Sequence, residues 1–244
     1  MEYYYQTDPG KVRDHNEDSV TIVKNQSGEY LLAVADGMGG HRAGEIASSI
    51  VIGNIGTHFK EMGKIGTKED AVRWLKDAVS EANVEIYKYT AEHPESEGMG
   101  TTIVTAILTD DFLLFGNLGD SRGYVLKGGK LHQITTDHTL VNLLVKSGEL
   151  TEEEAEHHPR KNVLMKAPGA NTKVEMDIID VETDVDGILL CSDGLTNMLD
   201  HDQIEKVLNE DLEIEKMVQK LIYKSNNRGG NDNISIAYLK KEVA

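Results

Sequence analysis

Residues 102–135 constrain this chain most: four β-rich runs, at 102–109, 111–118, 122–127 and 130–135, succeed one another with almost no chain between them. TDDF at 109–112 and LKGGKL at 126–131 read as tight reversals, and a Gly-Gly pair between two strand patterns is a strong hairpin signal. Links this short require antiparallel pairing, because parallel neighbours need a crossover of about a dozen residues. Further runs at 2–7, 19–24, 30–35, 173–181, 186–192 and 233–240 extend the pattern. Helical stretches fall in blocks: about 42–60, interrupted by Gly53 and Gly56, and 68–92, then 138–147, 151–157, 201–209 and 212–226. In the second of these Ala71, Trp74, Leu75, Ala78, Val79, Ala82, Ile86 and Tyr89 recur at helical spacing and form a core face. Strands in bulk with segregated helices predict an α+β chain, sheet packed on sheet with helices outside. No repeat or linker divides the 244 residues, so we expect a single domain, 1–244, with a charged, Gly- and Pro-punctuated surface flap at about 143–170.

Charge narrows the partners. Lys and Arg number 25 against 42 Asp and Glu, a net charge of −17. Such a chain lacks the positive field that draws proteins onto nucleic acid or anionic lipid, so we expect neither partner. MEYYYQTDPGKVRD has no basic start followed by an apolar stretch, and no run approaches the ~18 apolar residues of a membrane span. The expectation is a cytoplasmic monomer. Its one cysteine, Cys191, allows neither an intramolecular disulfide framework nor a site of several thiolates.

The aspartates carry the chemistry. Asp36 ends LLAVADG, Asp120 follows LLFGNLGD, Asp193 ends ILLCSDG, and Asp232 in GGNDN precedes NISIAYL. A single Asp-Gly after a strand is usually only a turn. Four such carboxylates differ, because in antiparallel sheets the start of one strand lies beside the end of its neighbour, so all four can share one rim. Clustered carboxylates repel and take up protons unless a divalent cation sits among them. Oxygen ligands alone suit Mg²⁺ or Mn²⁺ rather than zinc. Arg13 in RDHNED is a candidate bidentate partner for a phosphate near bound metals, and equally a candidate ion-pair partner of Glu17 and Asp18.

Taken together, RDHNED at 13–18, ADGMGGHRAGEIAS at 35–48, GMGTT at 98–102, GNLGDSR at 116–122, TTDHTLV at 135–141, CSDGLTNML at 191–199 and GGNDNIS at 229–235 resemble the metal-dependent phosphatases of the protein phosphatase 2C family. The similarity runs in order over nearly the whole chain and is strongest to small bacterial serine/threonine phosphatases of signalling pathways. It implies a four-layer α-β-β-α sandwich: two packed antiparallel sheets flanked by helix pairs, with a metal cluster at one end. It further implies that Asp36 bridges two Mn²⁺ or Mg²⁺ ions, with the Gly37 carbonyl on one and Asp193 and Asp232 on the other, while Asp120 and Asp193 hold a third, weaker ion. Arg13 would grip the phosphate, and Glu17 and Asp18 would order the waters. The substrates implied are phosphoserine and phosphothreonine in proteins, opposing a protein serine/threonine kinase. The rival reading is a catalytically silent partner-binding module on the same fold.

Two residues depart from the family pattern. Met38 stands where many eukaryotic members have a histidine thought to protonate the leaving alkoxide; His41 or a metal-bound water is the candidate general acid in its place. Pro168 in KAPGA replaces a more usual non-proline residue in the flap. Three decoys are set aside. GDSRG at 119–123 matches a nucleophile elbow at Ser121, but GYVLKGGKL at 123–131 reads as a hairpin rather than the helix that such an elbow needs. ETDVDGILLCSD at 182–193 imitates a calcium loop but runs through a strand. Cys191 has Asn197 where a cysteine-dependent phosphatase needs arginine, and its apolar flank reads as a core thiol.

Overall fold

A computed structural model describes residues 1–40 and 42–241. One sheet takes the order β1 (Glu2–Asp8), β11 (Ile234–Lys240), β10 (Gly187–Cys191), β7 (Arg122–Lys127), β8 (Lys130–Gln133). The other runs β2 (Asp18–Lys24), β3 (Tyr30–Met38), β5 (Ile103–Leu108), β6 (Leu113–Leu118), β9 (Asp177–Val181), with the two-residue β4 (Gly100–Thr101) on the far end of β3. Every ladder is antiparallel.

The central strands are apolar at consecutive positions because both their faces are covered. Along β3, Leu32 and Val34 point at the opposite sheet, where they meet Ile188 and Leu190 of β10 and Ala237 and Leu239 of β11. Leu31, Ala33 and Ala35 point the other way, onto Val51, Ile55 and Phe59 of α1 (Ala43–Glu61) and Leu75, Val79 and Ile86 of α2 (Lys68–Glu92). On the outer side of the first sheet, Leu189, Cys191, Ile236 and Tyr238 pack on α6 (His201–Leu208) and α7 (Ile214–Asn227). The layers are therefore α-β-β-α, as the resemblance implied.

Some elements differ from expectation. Helix α1 runs unbroken through Gly53 and Gly56. Each glycine costs about 1 kcal/mol there, and the buried face of Ala47, Val51, Ile55 and Phe59 outweighs that cost. Strand β9 begins at Asp177 rather than 173, where its pairing with β6 starts, Asp177 opposite Asn117. The expected stripe on α2 is buried except at Trp74 and Tyr89, which pack against its edge. β4, a 3-10 turn at Pro94–Ser96 and the four-residue helix α5 (Asp193–Thr196) are additional.

The stretch expected as a flap carries α4 (Glu152–Glu156) and the end of α3 (Leu140–Ser147), which starts just before it. A bridge between Thr139 and Leu164 closes its base. Pro168 fits without disturbance, because its carbonyl, not an N–H, is what the structure uses: the Thr101 amide donates to it at 3.0 Å. The buried Asn83 of α2 holds the next residues, its Oδ1 accepting from the Gly169 amide at 2.7 Å and its Nδ2 donating to the Asn171 carbonyl at 3.1 Å.

Candidate metal and phosphate site

Asp36 lies inside β3, two residues before its end, because β4 pairs there and prolongs the strand. Its backbone is fixed on both sides: the Asp36 amide donates to Thr102 Oγ1 at 3.0 Å, and its carbonyl accepts from the Thr102 amide at 2.8 Å and Thr101 Oγ1 at 2.9 Å. Directly across the ladder stands Asp18 of β2. Gly37 is required by close approach, since a Cβ there would fall 2.2 Å from the Gly44 carbonyl oxygen and 2.4 Å from that of Glu17. The start of α1 thus lies directly against the Asp36-Gly37 peptide.

Asp193 opens α5, with Ser192 as its cap residue. Ser192 Oγ donates to Asp18 Oδ2 at 2.7 Å and accepts from the Ser235 amide at 2.9 Å, which ties β10 and β11 to β2 across the two sheets. Asp193 Oδ2 accepts from Asn197 Nδ2 at 2.9 Å, whereas its Oδ1 is buried without a protein partner. Asp232 enters β11, its Oδ1 accepting from the Asn233 amide at 2.9 Å and its Oδ2 paired with Arg13 at 2.8 Å. Asp120 follows β6 on the turn that leads into β7.

These carboxylates share one electrostatic environment. Burial first, then Asp18, Asp193, Asp120 and Asp232, push the Asp36 carboxyl well above the ordinary carboxylate range. Asp18 is pushed up to about 7 by burial and the charges of Asp193 and Asp232, against the opposing Ser192 and Ser235 hydrogen bonds. Burial and the charges of Asp193 and Asp137 raise Asp120 to about 7. Asp193 rises through burial and Asp232, and Glu17 through burial, partly offset by Arg13. Carboxylates raised by burial and by one another's charge favour a divalent cation among them.

Does such a cation fit? The donors are all oxygens, and Asp193 Oδ1 and Glu17 Oε1 are buried with no partner of their own. The donor chemistry therefore suits Mg²⁺ or Mn²⁺. Among the described residues no three His, Cys, Asp or Glu side chains converge as a closed metal cage; Arg13 engages Asp232 and Asn197 engages Asp193, so cation binding requires these side chains to exchange partners.

Of the expected site residues, Arg13, Glu17, Asp18, Asp36, Gly37, Asp120, Asp193 and Asp232 come to one end of the sandwich. His41 lies outside the described residues. Arg13 pairs with Asp232, 219 positions away, rather than with its sequence neighbours. Asn233 was not foreseen: its Oδ1 accepts from the Glu17 amide, and its Nδ2 donates to the carbonyls of Pro9 and His15, each at 2.9 Å. One amide side chain thus fastens the segment carrying Arg13 and Glu17 beside Asp232, and only its place next to an aspartate in GGNDN hinted at it. The decoys fail on geometry. Ser121 is buried, bonded to Thr102 Oγ1 at 2.7 Å and followed by β7. Burial pushes the Cys191 thiol up to about 12, which makes it unreactive.

The sequence profile described as Protein phosphatase 2C matches residues 11–229. The chain belongs to the protein phosphatase 2C family. Its reaction class is that of the family, hydrolysis of phosphoric monoesters. The serine/threonine phosphatase stp of Listeria monocytogenes is 39% identical over 245 residues, covering 100% of this chain and 97% of the relative. A serine/threonine phosphatase structure from S. agalactiae is 37% identical with a TM-score of 0.93, covering 99% of each chain. The catalytic domain of the serine/threonine phosphatase PstP, solved in complex with two manganese ions, is 34% identical with a TM-score of 0.82, covering 97% of this chain and 96% of that one. No helix among the described residues is long and apolar enough to cross a membrane.

Proposed function

We propose that this phosphatase hydrolyses phosphoserine and phosphothreonine monoesters in cytoplasmic proteins, opposing a protein serine/threonine kinase, as a monomer. The observation that carries the reading is the group of mutually repelling carboxylates with an arginine 2.8 Å from one of them. Asp36 with the Gly37 carbonyl, Asp193 and Asp232 would hold two Mn²⁺ or Mg²⁺ ions, and Asp120 with Asp193 a weaker third. The PstP structure with two manganese ions supports the first pair. Bound there, the cations supply a water of lowered pKa as nucleophile and offset the charge of the phosphate.

The chain's own residues do the rest. Arg13 leaves Asp232 to bind the phosphate oxygens, the bidentate role its planar guanidinium suits. Asp232, released from that pair, would be available as a metal ligand. Glu17 and Asp18 accept hydrogen bonds from waters at the site and orient them. With Met38 unable to donate a proton, His41 is the residue we assign to protonate the leaving alkoxide.

Phosphate release from a phosphothreonine peptide with Mn²⁺, beside the same protein in EDTA, tests the reading. Turnover with Mn²⁺ and none in EDTA is expected. Tight Mn²⁺ binding without release would instead support a silent, partner-binding module.

A further inference from the structure

The loop after β8 holds the turn carrying Asp120 at both ends. At one end the Gly119 amide donates to His138 Nδ1 at 3.1 Å, while the His138 amide donates to the Gly119 carbonyl at 2.9 Å. At the other end Arg122 makes a fork onto Asp137, Nε to Oδ1 at 3.0 Å and Nη2 to Oδ2 at 2.7 Å. Two adjacent residues thus fasten the first and last residues of Gly119–Arg122. The same two residues anchor the flap: the His138 carbonyl accepts from the Met165 amide at 2.8 Å, and the Asp137 carbonyl accepts from Asn142 Nδ2 at 2.6 Å.

The ring of His138 is almost enclosed, its side chain 10% exposed. A backbone N–H can only donate, so Nδ1 facing Gly119 must be the bare nitrogen. The proton then sits on Nε2, 3.1 Å from Asp177 Oδ2 at the start of β9. Gly119 itself has φ +128, and a Cβ there would lie 2.6 Å from the Thr102 side chain, so only glycine fits at that end of the turn.

We propose that His138, as its Nε2–H tautomer, is a positioning residue that sets the Asp120 carboxylate for the weaker third cation and links that carboxylate to the base of the flap. The proposal rests on the assignment of Asp120 made above. Removing the Nδ1 acceptor strands the Gly119 N–H and loosens the end of the turn next to Asp120, while Ser121 stays bonded to Thr102 Oγ1 and Arg122 to Asp137. Outer-shell partners of this kind alter metal affinity by about 10- to 100-fold.

The test has two arms. In the metal-free protein, ¹⁵N NMR of the His138 ring should show a protonated Nε2 and a bare Nδ1; a proton on Nδ1 would overturn the proposal. In Mn²⁺ titration calorimetry, His138→Leu should weaken the weakest ion by about 10- to 100-fold and leave the tighter ions in place. His138→Asn, whose Oδ1 can accept from the Gly119 amide, should recover most of that loss, and thermal unfolding of both variants guards against a folding defect. Asp177→Ala, which leaves the Gly119 bond in place, should keep Nδ1 bare and the third ion bound; a proton on Nδ1 in that variant would overturn the proposal. If Asp120→Ala weakens the third ion while His138→Leu does not, the inference fails alone. If Asp120→Ala changes nothing, the assignment of Asp120 fails and takes the inference with it.

Discussion

Asp18 and Asp36 are directly opposed partners on neighbouring antiparallel strands, one buried and one half-buried carboxylate where a sheet ordinarily pairs complementary side chains. Nothing in a strand ladder favours that pairing, so its stability must depend on what neutralises the charge.

Proton binding is one way. Asp18 and Asp120 keep their protons up to about pH 7 in the fold, against an ordinary value of 3.8. Between those values the folded chain binds more protons than the unfolded one, so stability in EDTA falls as pH rises. Mn²⁺ displaces the same protons and should therefore stabilise more at about pH 8 than at about pH 5. At ~100 times its Kd the gain is about 2.7 kcal/mol, or roughly 5–10 °C in Tm for a chain of this size. Thermal unfolding with and without Mn²⁺ across pH measures it; a gain that shrinks with pH would contradict the assignment.

Asp36→Asn removes one charge from the middle of the group while keeping its shape. Turnover of a phosphopeptide should fall by more than about 100-fold, beyond the usual outer-shell range. The metal-free variant should nonetheless melt higher than the parent at about pH 8, because a buried repulsion is gone. Asp193→Asn and Asp232→Asn should lose turnover similarly.

Arg13→Ala should raise KM for phosphopeptide more than it lowers kcat, as expected for a group that binds the ester in ground and transition states alike. Because Arg13 also occupies Asp232 Oδ2 at 2.8 Å, the variant should bind Mn²⁺ more tightly than the parent in calorimetry. Loss of Mn²⁺ affinity would show that the ion pair is not a competitor.

Asn233→Ala breaks three hydrogen bonds that hold the amide of Glu17 and the carbonyls of Pro9 and His15. The stranded groups are part-buried, so a loss of about 2–3 kcal/mol in stability is expected from urea unfolding. Asn233→Asp retains an acceptor for Glu17 but no donor, and should fall between.

If His41 donates the proton to the leaving alkoxide, His41→Ala should slow a phosphothreonine peptide far more than an activated aryl phosphate, whose leaving group needs no proton. Steady-state rates on both substrates give the answer; equal losses would remove His41 from that role.

What the sequence disclosed came from local chemistry. Leu31 to Ala35 reads as a strand buried on both faces because consecutive apolar residues have no other economical use, and the GG of LKGGKL fixes the β7–β8 reversal. Asp36, Asp120, Asp193 and Asp232 stood out because each borders an apolar run in the sequence. Asn233, the Asp137–Arg122 fork and the His138 ring did not, since each acts through partners that the chain's folding alone brings near. β4 and α5 span two and four residues, too few for any period to register. The pairing of Arg13 was legible only as an appetite for carboxylate; which carboxylate depended on β1 meeting β11.

That meeting of the first strand with the last bears on how the enzyme comes into being. Strand β1 pairs with β11 along its whole length, from Glu2 opposite Lys240 to Asp8 opposite Ile234, and Arg13 follows the one while Asp232 precedes the other. On the ribosome the arginine emerges early and waits for an aspartate synthesised 219 residues later. Contacts so distant in sequence form late and slowly. A nascent chain therefore has no Arg13–Asp232 pair until β11 is free of the exit tunnel and the sheet has closed.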